Sequence, residues 1–324
     1  MAEETSPIRY ELDVTVSIPI FNEEENVPRI YEELKPVMEN LNKSYEILFV
    51  DDGSTDRSFQ ELQKLADLDK KVRVIRFRRN FGQTAAMAAG FDEARGEVIV
   101  TMDGDLQNDP KDIPMLLQKM EEGNFDIVSG WRKNRKDKFI TRKIPSMIAN
   151  RLISKITSVK LHDYGCSLKA YKKELTKHFN LYGEMHRFIP AIGRFAGASI
   201  EEMVVNHRAR RFGKSKYGLS RVLRVVLDLM TVKFFMGYLT QPIKIIGRVA
   251  FIFFAIAFGS IGWVLYDKIV NMQDMTNSPW FYLAILGFFT GIQLISIGLV
   301  AEILVRTYYE SQDKPTYIIK ERIN

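Results

Sequence analysis

The stretch Val98-Ile99-Val100-Thr101-Met102-Asp103-Gly104-Asp105-Leu106-Gln107 places two carboxylates directly after an apolar run. The run predicts a buried strand, and the segment after it predicts a turn. Open α/β sheets bind their ligands at the carboxyl ends of the strands. Two carboxylates spaced i and i+2 at such a point suit one hard divalent cation, Mg²⁺ or Mn²⁺, and Gln107 is placed to support the metal or its water. We therefore expect a metal here that carries phosphates.

The chain before about residue 130 alternates between predicted strands and helices. Near-continuous apolar runs predict strands over residues 14–20, 45–50, 72–77, 98–102 and 126–129. Helices are predicted over 24–40 and 84–94, and a further helix after the second strand is capped by Ser54 or Asp56. This alternation predicts an α/β fold with a mostly parallel sheet covered on both faces.

Composition and charge limit the kinds of protein to which this chain could belong. The 324 residues have a net charge of +6 and one cysteine, Cys166, so an internal disulfide is impossible, which suits a reducing compartment. The four histidines lack metal-ligand spacing, and residues 1–13 show no signal-peptide pattern. Seven cations between Arg132 and Lys143 are opposed by Asp137 alone. That run indicates either a solvated loop or a clamp for phosphate or an acidic membrane surface, and no nucleic-acid partner is predicted.

Two long apolar segments lie beyond residue 240. Residues 249–265, extended by 243–247, and residues 280–300 are each long enough to cross roughly 30 Å of hydrocarbon. Buried helices of a soluble protein are the alternative. Cations flank the outer ends of both segments, so the positive-inside rule predicts a multi-pass protein of the cell membrane with both termini in the cytoplasm. Gly287 and Gly291 form a Gly-x-x-x-Gly pattern, a weak indication of helix pairing.

The predicted domains follow from these segments. A cytoplasmic domain covers residues 1–217, a juxtamembrane helix covers 218–241, and a membrane region covers 242–324. The membrane region holds spans near 243–266 and 280–305 and a short cytoplasmic tail. Basic amphipathic stretches at 144–159 and 219–235 predict helices that either face the core or lie in the membrane interface.

Polar residues follow four of the predicted strands. They occur in the segments 18–23, 49–54, 79–82 and 103–107. Because the carboxyl ends of parallel strands meet at one edge of a sheet, we expect these segments to line one crevice. A single Asp-Gly-Ser is ordinarily a turn and a helix cap, but four polar strand ends on one rim are hard to explain as turns alone. Asp52 is expected to accept a hydrogen bond from the imide N–H of uracil.

The ordered motifs of the chain resemble those of glycosyltransferase family 2, which has the Rossmann-like GT-A fold. The matching pieces are Pro19-x-x-Asn22-Glu23, the Val-Asp-Asp-Gly-Ser that ends at Ser54, Arg79-Asn80-Phe81-Gly82 and Asp103-x-Asp105-x-Gln107. More narrowly, the chain resembles the polyprenyl-phosphate glycosyltransferases, namely undecaprenyl-phosphate glucosyltransferases of the GtrB type, dolichol-phosphate mannose synthases and ArnC. This match rests on residues 129–132, 163–171 and 210–217 and on the two apolar segments.

The resemblance and the charge chemistry together assign roles to residues. Arginines suit the lipid phosphate because their fork donates two parallel hydrogen bonds. The catalytic residues are expected to be Asp103, Asp105, Asp163, Arg132 and Arg210. The donor-binding residues are expected to be Pro19, Asn22, Glu23, Asp52, Arg79, Asn80, Gly82, Asp103 and Gly104. The acceptor is expected at Arg132, Arg142, Ser215 and Lys216, and the metal at Asp103, Asp105 and Gln107. The resemblance also implies a homo-oligomer, a tetramer in particular.

The expected activity is inverting, metal-dependent transfer of a hexose from a UDP-sugar, glucose in the first place, to polyprenyl phosphate at the cytoplasmic membrane face. The same reaction with GDP-mannose or a UDP-4-amino-arabinose derivative is the alternative. A metal-dependent phosphohydrolase would also use Asp-x-Asp, but it would need no base-binding residues. A processive polysaccharide synthase is disfavoured because Gln-x-x-Arg-Trp is absent and two spans are too few for a pore. A membrane scaffold with an inactive domain is disfavoured because every expected metal and nucleotide position is present.

Overall fold

The computed structural model describes residues 10–133, 154, 159–177, 179, 181, 185–208, 243–311 and 317–324. The chain divides into two compact units, one formed by Met1–Val232 together with Pro315–Asn324 and the other by Lys233–Lys314. The predicted amphipathic helices at 144–159 and 219–235 lie, apart from Ser154 and Val159, outside the described residues.

Within the described residues, the first unit is built around one sheet of eight strands. The strands are β1 (Leu12–Ile20), β2 (Tyr45–Asp51), β3 (Val72–Phe77), β4 (Gly96–Thr101), β5 (Ile127–Trp131), β6 (Lys169–Lys172), β7 (Ile200–Val204) and β8 (Ile319–Ile323). Their order across the sheet is β7-β5-β6-β4-β1-β2-β3-β8. β1 to β4 pair in parallel, whereas β6 runs antiparallel to both β4 and β5, and β8 runs antiparallel to β3. The prediction of a mostly parallel α/β sheet is therefore confirmed.

Helices cover both faces of this sheet. They are α1 (Val27–Glu39), α2 (Ser58–Leu68), α3 (Gln83–Glu93), α4 (Ile113–Gly123), α5 (Lys173–Thr176) and α6 (Ile189–Phe195). The side chains of β2 alternate between the two faces. Ile47 and Phe49 belong to the larger apolar cluster with α1, α2 and α4, whereas Leu48 and Val50 belong to a smaller cluster with α3. All seven β2 residues are buried, as expected of a parallel strand covered on both sides.

The five predicted strands occur with bounds that differ by at most two residues. The helix after β2 begins at Ser58, and neither Ser54 nor Asp56 is its N-cap residue, although the Asp56 carboxylate accepts a hydrogen bond from the Ser58 N–H at 2.9 Å. The sequence pattern did not predict β6 and β7 or the edge strand β8. The C-terminal tail thus joins the sheet of the first unit, where charged Lys320, Glu321 and Arg322 occupy its edge.

The second unit is a pair of long apolar helices, α7 (Ile243–Val270) and α8 (Pro279–Ser311). The segments Ile246–Val270 and Pro279–Ala301 are long and apolar enough to cross a membrane. Most of their side chains are exposed, with Phe251 at 70% and Phe289 at 65%, which is unlike the core helices of a soluble protein. The Gly-x-x-x-Gly of α8 faces α7, because a Cβ on Gly287 would lie 3.1 Å from the Phe253 carbonyl oxygen.

Candidate active site

The parallel strands β1 to β4 end at one edge of the sheet, and the loops after them contact one another there. The Asn22 N–H donates to Ser54 Oγ at 3.0 Å, and the Asn22 side-chain oxygen accepts from the Thr55 N–H at 2.8 Å. Glu23 donates its N–H to Ser58 Oγ at 2.8 Å. The first two polar strand ends therefore form one connected rim, as the sequence predicts.

Asp52, at the end of β2, organises the loop after β3. Its carboxylate accepts hydrogen bonds from the Asn80 side chain at 2.9 Å, the Phe81 N–H at 2.7 Å and the Gly82 N–H at 2.9 Å. Burial raises the pKa of Asp52 to about 6, although the two backbone hydrogen bonds lower it. A carboxylate offers about four acceptor positions, so one position is left for a ligand N–H. The binding of uracil by Asp52 stays a prediction. The sequence did not reveal that Asp52 also positions the loop after β3.

Gly53 allows this loop to approach β2 closely. Its φ is +69°, and a Cβ there would lie 2.4 Å from the carbonyl carbon of Arg79. The Arg79 side chain lies over the Phe81 ring at 4.0 Å and donates to the Asn80 carbonyl oxygen at 2.9 Å. The predicted donor residues Asp52, Arg79 and Asn80 are therefore brought together.

Asp103 and Asp105 follow β4, and several described residues fix their loop. Gln83 Nε2, in the first turn of α3, donates to Asp103 Oδ1 at 2.8 Å. The Asp103 N–H donates to Asn108 Oδ1 at 3.0 Å, and the Gln107 N–H donates to Asp105 Oδ1 at 3.1 Å. Gly104 lies against β1, where a Cβ would be 3.0 Å from the Pro19 carbonyl oxygen.

The two carboxylates fit a divalent cation. Burial raises the pKa of Asp103, and the charge of Asp105 raises it further, so a bound cation would relieve both the burial and the repulsion. In the described part of the chain, no cluster of three or more His, Cys, Asp or Glu side chains could hold a metal. Two carboxylates with further ligands from phosphates and water are the usual arrangement for Mg²⁺ in phosphate-binding enzymes. Gln107 is in the same turn, but its side chain amide points to the Arg208 carbonyl oxygen at 3.5 Å.

Arg132 and Asp163 form a second part of the site. Arg132 Nε donates to Asp163 Oδ2 at 2.7 Å and Nη2 donates to Oδ1 at 2.9 Å. The exposed fraction of the Arg132 side chain is 11%, and that of Asp163 is 4%. The sequence placed both residues in the site, but it did not predict that Asp163 binds Arg132. Arg142, Arg210, Ser215 and Lys216 lie outside the described residues.

A cavity of about 60 Å³ lies beside Asp103 and contains residues that the sequence analysis missed. Lys169, His186 and Arg187 line it together with Gln83 and Asp103. Lys169 is buried, which lowers the pKa of its ammonium, and it donates to the carbonyl oxygens of Tyr164 and Cys166. His186 Nδ1 is 2.8 Å from Thr84 Oγ1. Lys169 belongs to the segment 163–171, on which the family resemblance partly rests, so the sequence did contain a signal for this residue.

Asn80 is among the residues that line a larger pocket of about 380 Å³. The loops after β1, β2 and β3 form its walls with Phe21, Ser54, Thr55 and the arginines at 76, 78 and 79. Lys320 of β8 completes the lining. Since neither Asp103 nor Asp105 lines this pocket, it is a space separate from the carboxylate pair.

Comparison with known proteins agrees with this architecture. Residues 15–179 match the model of Glycosyl transferase family 2. A dodecaprenyl-phosphate galacturonate synthase of Rhizobium johnstonii is 44% identical over 313 residues, which cover 96% of this chain and 93% of that protein. An undecaprenyl-phosphate 4-deoxy-4-formamido-L-arabinose transferase of Aeromonas hydrophila is 33% identical over 310 residues, covering 95% and 93%.

A solved structure supports the fold. Glucosyl-3-phosphoglycerate synthase from Mycobacterium tuberculosis, in complex with Mn²⁺, UDP and phosphoglyceric acid, aligns with a TM-score of 0.55 at 18% identity over 70% of this chain and 79% of that one. The Rhizobium and Aeromonas relatives, which align over almost all of this chain, have the names of polyprenyl-phosphate sugar transferases. These names confirm the resemblance expected from the motifs. The chain belongs to glycosyl transferase family 2 and is a glycosyltransferase with a GT-A-like domain and two apolar helices of membrane-spanning length.

Proposed function

We propose that this enzyme transfers a sugar from a UDP-sugar to polyprenyl phosphate with inversion at the anomeric carbon. The observation that carries the proposal is the arrangement of three groups along one sheet edge. Asp52 and its loop suit a nucleotide base, the Asp103–Asp105 pair suits a metal-bound diphosphate, and the paired Arg132 suits a further anion. The names of the Rhizobium and Aeromonas relatives support a polyprenyl phosphate acceptor.

The proposed step needs no general base. An oxygen of the lipid phosphate attacks the anomeric carbon, the bond from that carbon to the UDP oxygen breaks, and the electron pair leaves with UDP. The phosphate monoester is mostly ionised at neutral pH, so no proton has to be removed. A divalent cation held by Asp103 and Asp105 would supply positive charge for the departing diphosphate. Arg132, fixed by Asp163, would offset the charge of the incoming lipid phosphate.

The identity of the sugar is a finer proposal. Glucose is the expectation from the resemblance, but two observations favour a hexuronic acid. The Rhizobium relative is named for galacturonate. In addition, Lys169 and Arg187 line the cavity beside Asp103, and basic side chains there suit a sugar carboxylate. We therefore place UDP-galacturonate ahead of UDP-glucose, with an aminoarabinose derivative third.

We propose that the first unit, which includes the candidate active site and the C-terminal strand β8, lies in the cytoplasm. β8 pairs with β3, so residues before the two apolar helices and residues after them share one sheet. Two crossings of a membrane return the chain to its starting side, which agrees with that pairing. The cations at the outer ends of both helices support the cytoplasmic side. A homo-oligomer stays a prediction from the resemblance.

A donor panel tests the proposal. The purified full-length protein is incubated with polyprenyl phosphate, Mn²⁺ and one radiolabelled donor at a time, namely UDP-galacturonate, UDP-glucose, UDP-4-formamido-arabinose or GDP-mannose. We expect label in the organic phase with a UDP-sugar, and most with UDP-galacturonate. Labelling from GDP-mannose alone would contradict the UDP assignment, and labelling from UDP-glucose alone would contradict the uronic acid.

A further inference from the structure

The edge strand β8 contains an irregularity next to the larger pocket. In its pairing with β3, Glu321 lies opposite Arg76 and Ile319 lies opposite Phe77. Three residues of β8 therefore span two residues of β3, and Lys320 is the extra one, a β-bulge. A bulge re-aims a side chain and is frequent beside active sites. Lys320 lines the pocket of about 380 Å³ that the loops after β1 to β3 enclose.

The tail is anchored on both sides of this bulge, so the position of Lys320 is fixed by contacts. Tyr317 stacks on Phe77 with ring centroids 5.0 Å apart, and its hydroxyl donates to Asp92 at 2.8 Å. Arg322 pairs with Glu93 at 2.6 Å. At the end of the chain, the Asn324 side chain donates to the carbonyl oxygens of Ala66 at 2.7 Å and Val72 at 2.9 Å.

The ammonium of Lys320 is available to a ligand. None of the described carboxylates forms an ion pair with it, whereas Arg76 in the same pocket is 3.6 Å from the Asp51 carboxylate. The lysine is exposed, so its substitution should not disturb the core. A cation held at the rim of a pocket is suited to acceptor atoms of a ligand.

The walls of the pocket indicate which part of a nucleotide sugar it takes. Asp103 and Asp105, the proposed diphosphate end, do not line it, whereas Asn80 and Gly53 do, and Asn80 binds Asp52. Uracil presents two carbonyl acceptors beside one imide N–H. If Asp52 takes the N–H, the carbonyl oxygens need donors nearby, and Lys320, which lines the pocket together with the Asp52 partner Asn80, can supply one.

We infer that Lys320, on the strand that follows the two apolar helices, binds the base of the nucleotide and that the C-terminal tail is therefore part of the donor site. This inference rests on the proposed function, since it assumes a uridine nucleotide. It adds a donor-binding residue from a segment that lies outside the family match, which covers residues 15–179.

The test compares Lys320→Ala, Lys320→Glu and Lys320→Arg in the full-length protein, with Lys70→Ala as the control. Lys70 is also an exposed cation, and it contacts the same tail at Asn324 Oδ1, 3.2 Å away, outside the pocket. Calorimetry gives the Kd for UDP and for UMP. We expect Lys320→Ala to raise both Kd values about ten- to a hundredfold, the loss of one hydrogen bond from a charged donor.

Lys320→Glu should weaken binding further, and Lys320→Arg should retain most of it. Equal Kd values for Lys320→Ala and Lys70→Ala would overturn the inference, and so would a loss seen with UDP but not with UMP. Either result, obtained with a wild type that binds UDP and labels lipid, leaves the proposed function intact. A wild type that binds no UDP would remove the proposed function and the inference with it.

Discussion

Asp163 holds the guanidinium of Arg132 through two parallel hydrogen bonds, Nε to Oδ2 at 2.7 Å and Nη2 to Oδ1 at 2.9 Å. Asp163 is itself held, because its Oδ1 accepts from the Gly165 N–H at 3.1 Å and its own N–H donates to Glu202 at 3.0 Å. The direction of the Arg132 side chain is therefore set before a ligand binds. Charges fixed in advance are the ones that stabilise a transition state most, since no reorganisation is needed during the reaction.

Asp163→Asn should separate this positioning role from donor binding. The variant leaves a buried arginine without its charged partner, and breaking a buried pair costs about 3–5 kcal/mol of unfolding free energy. We expect a higher KM for polyprenyl phosphate and slower transfer, with UDP affinity nearly unchanged. Glu11→Gln is the control, because it removes an exposed pair with Arg95 that should contribute under about 1 kcal/mol. Loss of UDP affinity with normal acceptor kinetics would place the pair in the donor site instead.

Asp105→Asn should remove the metal from the donor complex. The substitution keeps the shape of the side chain but removes one of two carboxylates, so Mn²⁺ affinity in the presence of UDP should fall at least tenfold, an effect of about 1.4 kcal/mol or more. Electron paramagnetic resonance of bound Mn²⁺ measures this without turnover, and EDTA should abolish transfer by the wild type. Asp67→Asn, a change on the exposed surface, is the control. Unchanged Mn²⁺ binding by Asp105→Asn, or full transfer in EDTA, would show that the pair is not the metal site.

The raised pKa of Asp52 predicts a pH dependence of stability. Burial raises it to about 6, against 3.8 for the unperturbed carboxyl, and the charge of Asp51 raises it while that of Arg79 lowers it. Between roughly pH 4 and pH 6 the folded protein keeps a proton that the unfolded chain has released. The contribution of this group to the unfolding free energy therefore falls as the pH rises through that window, by an amount on the order of 2–3 kcal/mol.

Urea unfolding of the wild type and of Asp52→Asn from pH 4 to pH 7.5 measures this contribution. The difference in unfolding free energy between the two proteins should change across pH 4–6 and stay constant above it. Asp67→Asn, a change on the exposed surface, is the control. A constant difference between the wild type and Asp52→Asn over the whole range would mean that the Asp52 pKa is not raised.

The glycines of α8 predict how the apolar helices pair. A Cβ on Gly287 would lie 3.1 Å from the Phe253 carbonyl oxygen and 3.3 Å from the Ala257 Cβ, whereas a Cβ on Gly259 of α7 would meet nothing within 4 Å. Gly287→Val should therefore destabilise the helix pair by about 1–3 kcal/mol, a typical cost of overpacking. Gly259→Val is the matched control. Unfolding of the full-length protein in detergent measures both, and equal effects would exclude close packing at Gly287.

Much of this arrangement could be predicted from the sequence. The apolar runs predicted β1 to β4, and the rule that parallel strands end at one edge placed Asn22, Asp52, Asn80 and Asp103 at the same edge of the sheet. These features are local in sequence, because each polar group follows its own strand directly. The pairing of α7 and α8 was indicated by Gly287 and Gly291 for the same reason, since the two helices are neighbours in the chain.

The remaining features depend on contacts between distant segments. Lys320 reaches a pocket whose other walls lie more than 200 residues earlier, and the short strand that carries it has three consecutive charged residues, which break both an apolar run and an alternating pattern. His186 lies in a short helical turn without a recognisable pattern, and its 2.8 Å contact with Thr84 places it beside α3. The antiparallel strand β6 is four residues long and has a lysine at each end, so it contains no apolar run that would predict a strand.

The most direct test of the central claim follows where the sugar goes. Full-length protein is incubated with UDP-galacturonate labelled in the sugar, Mn²⁺ and polyprenyl phosphate, and the organic and aqueous phases are counted over time. The account predicts that label enters the organic phase in proportion to polyprenyl phosphate, that one UDP forms for each labelled lipid, and that Asp105→Asn abolishes both. Free sugar accumulating in the aqueous phase at the same rate with and without polyprenyl phosphate would identify a hydrolase and contradict the account.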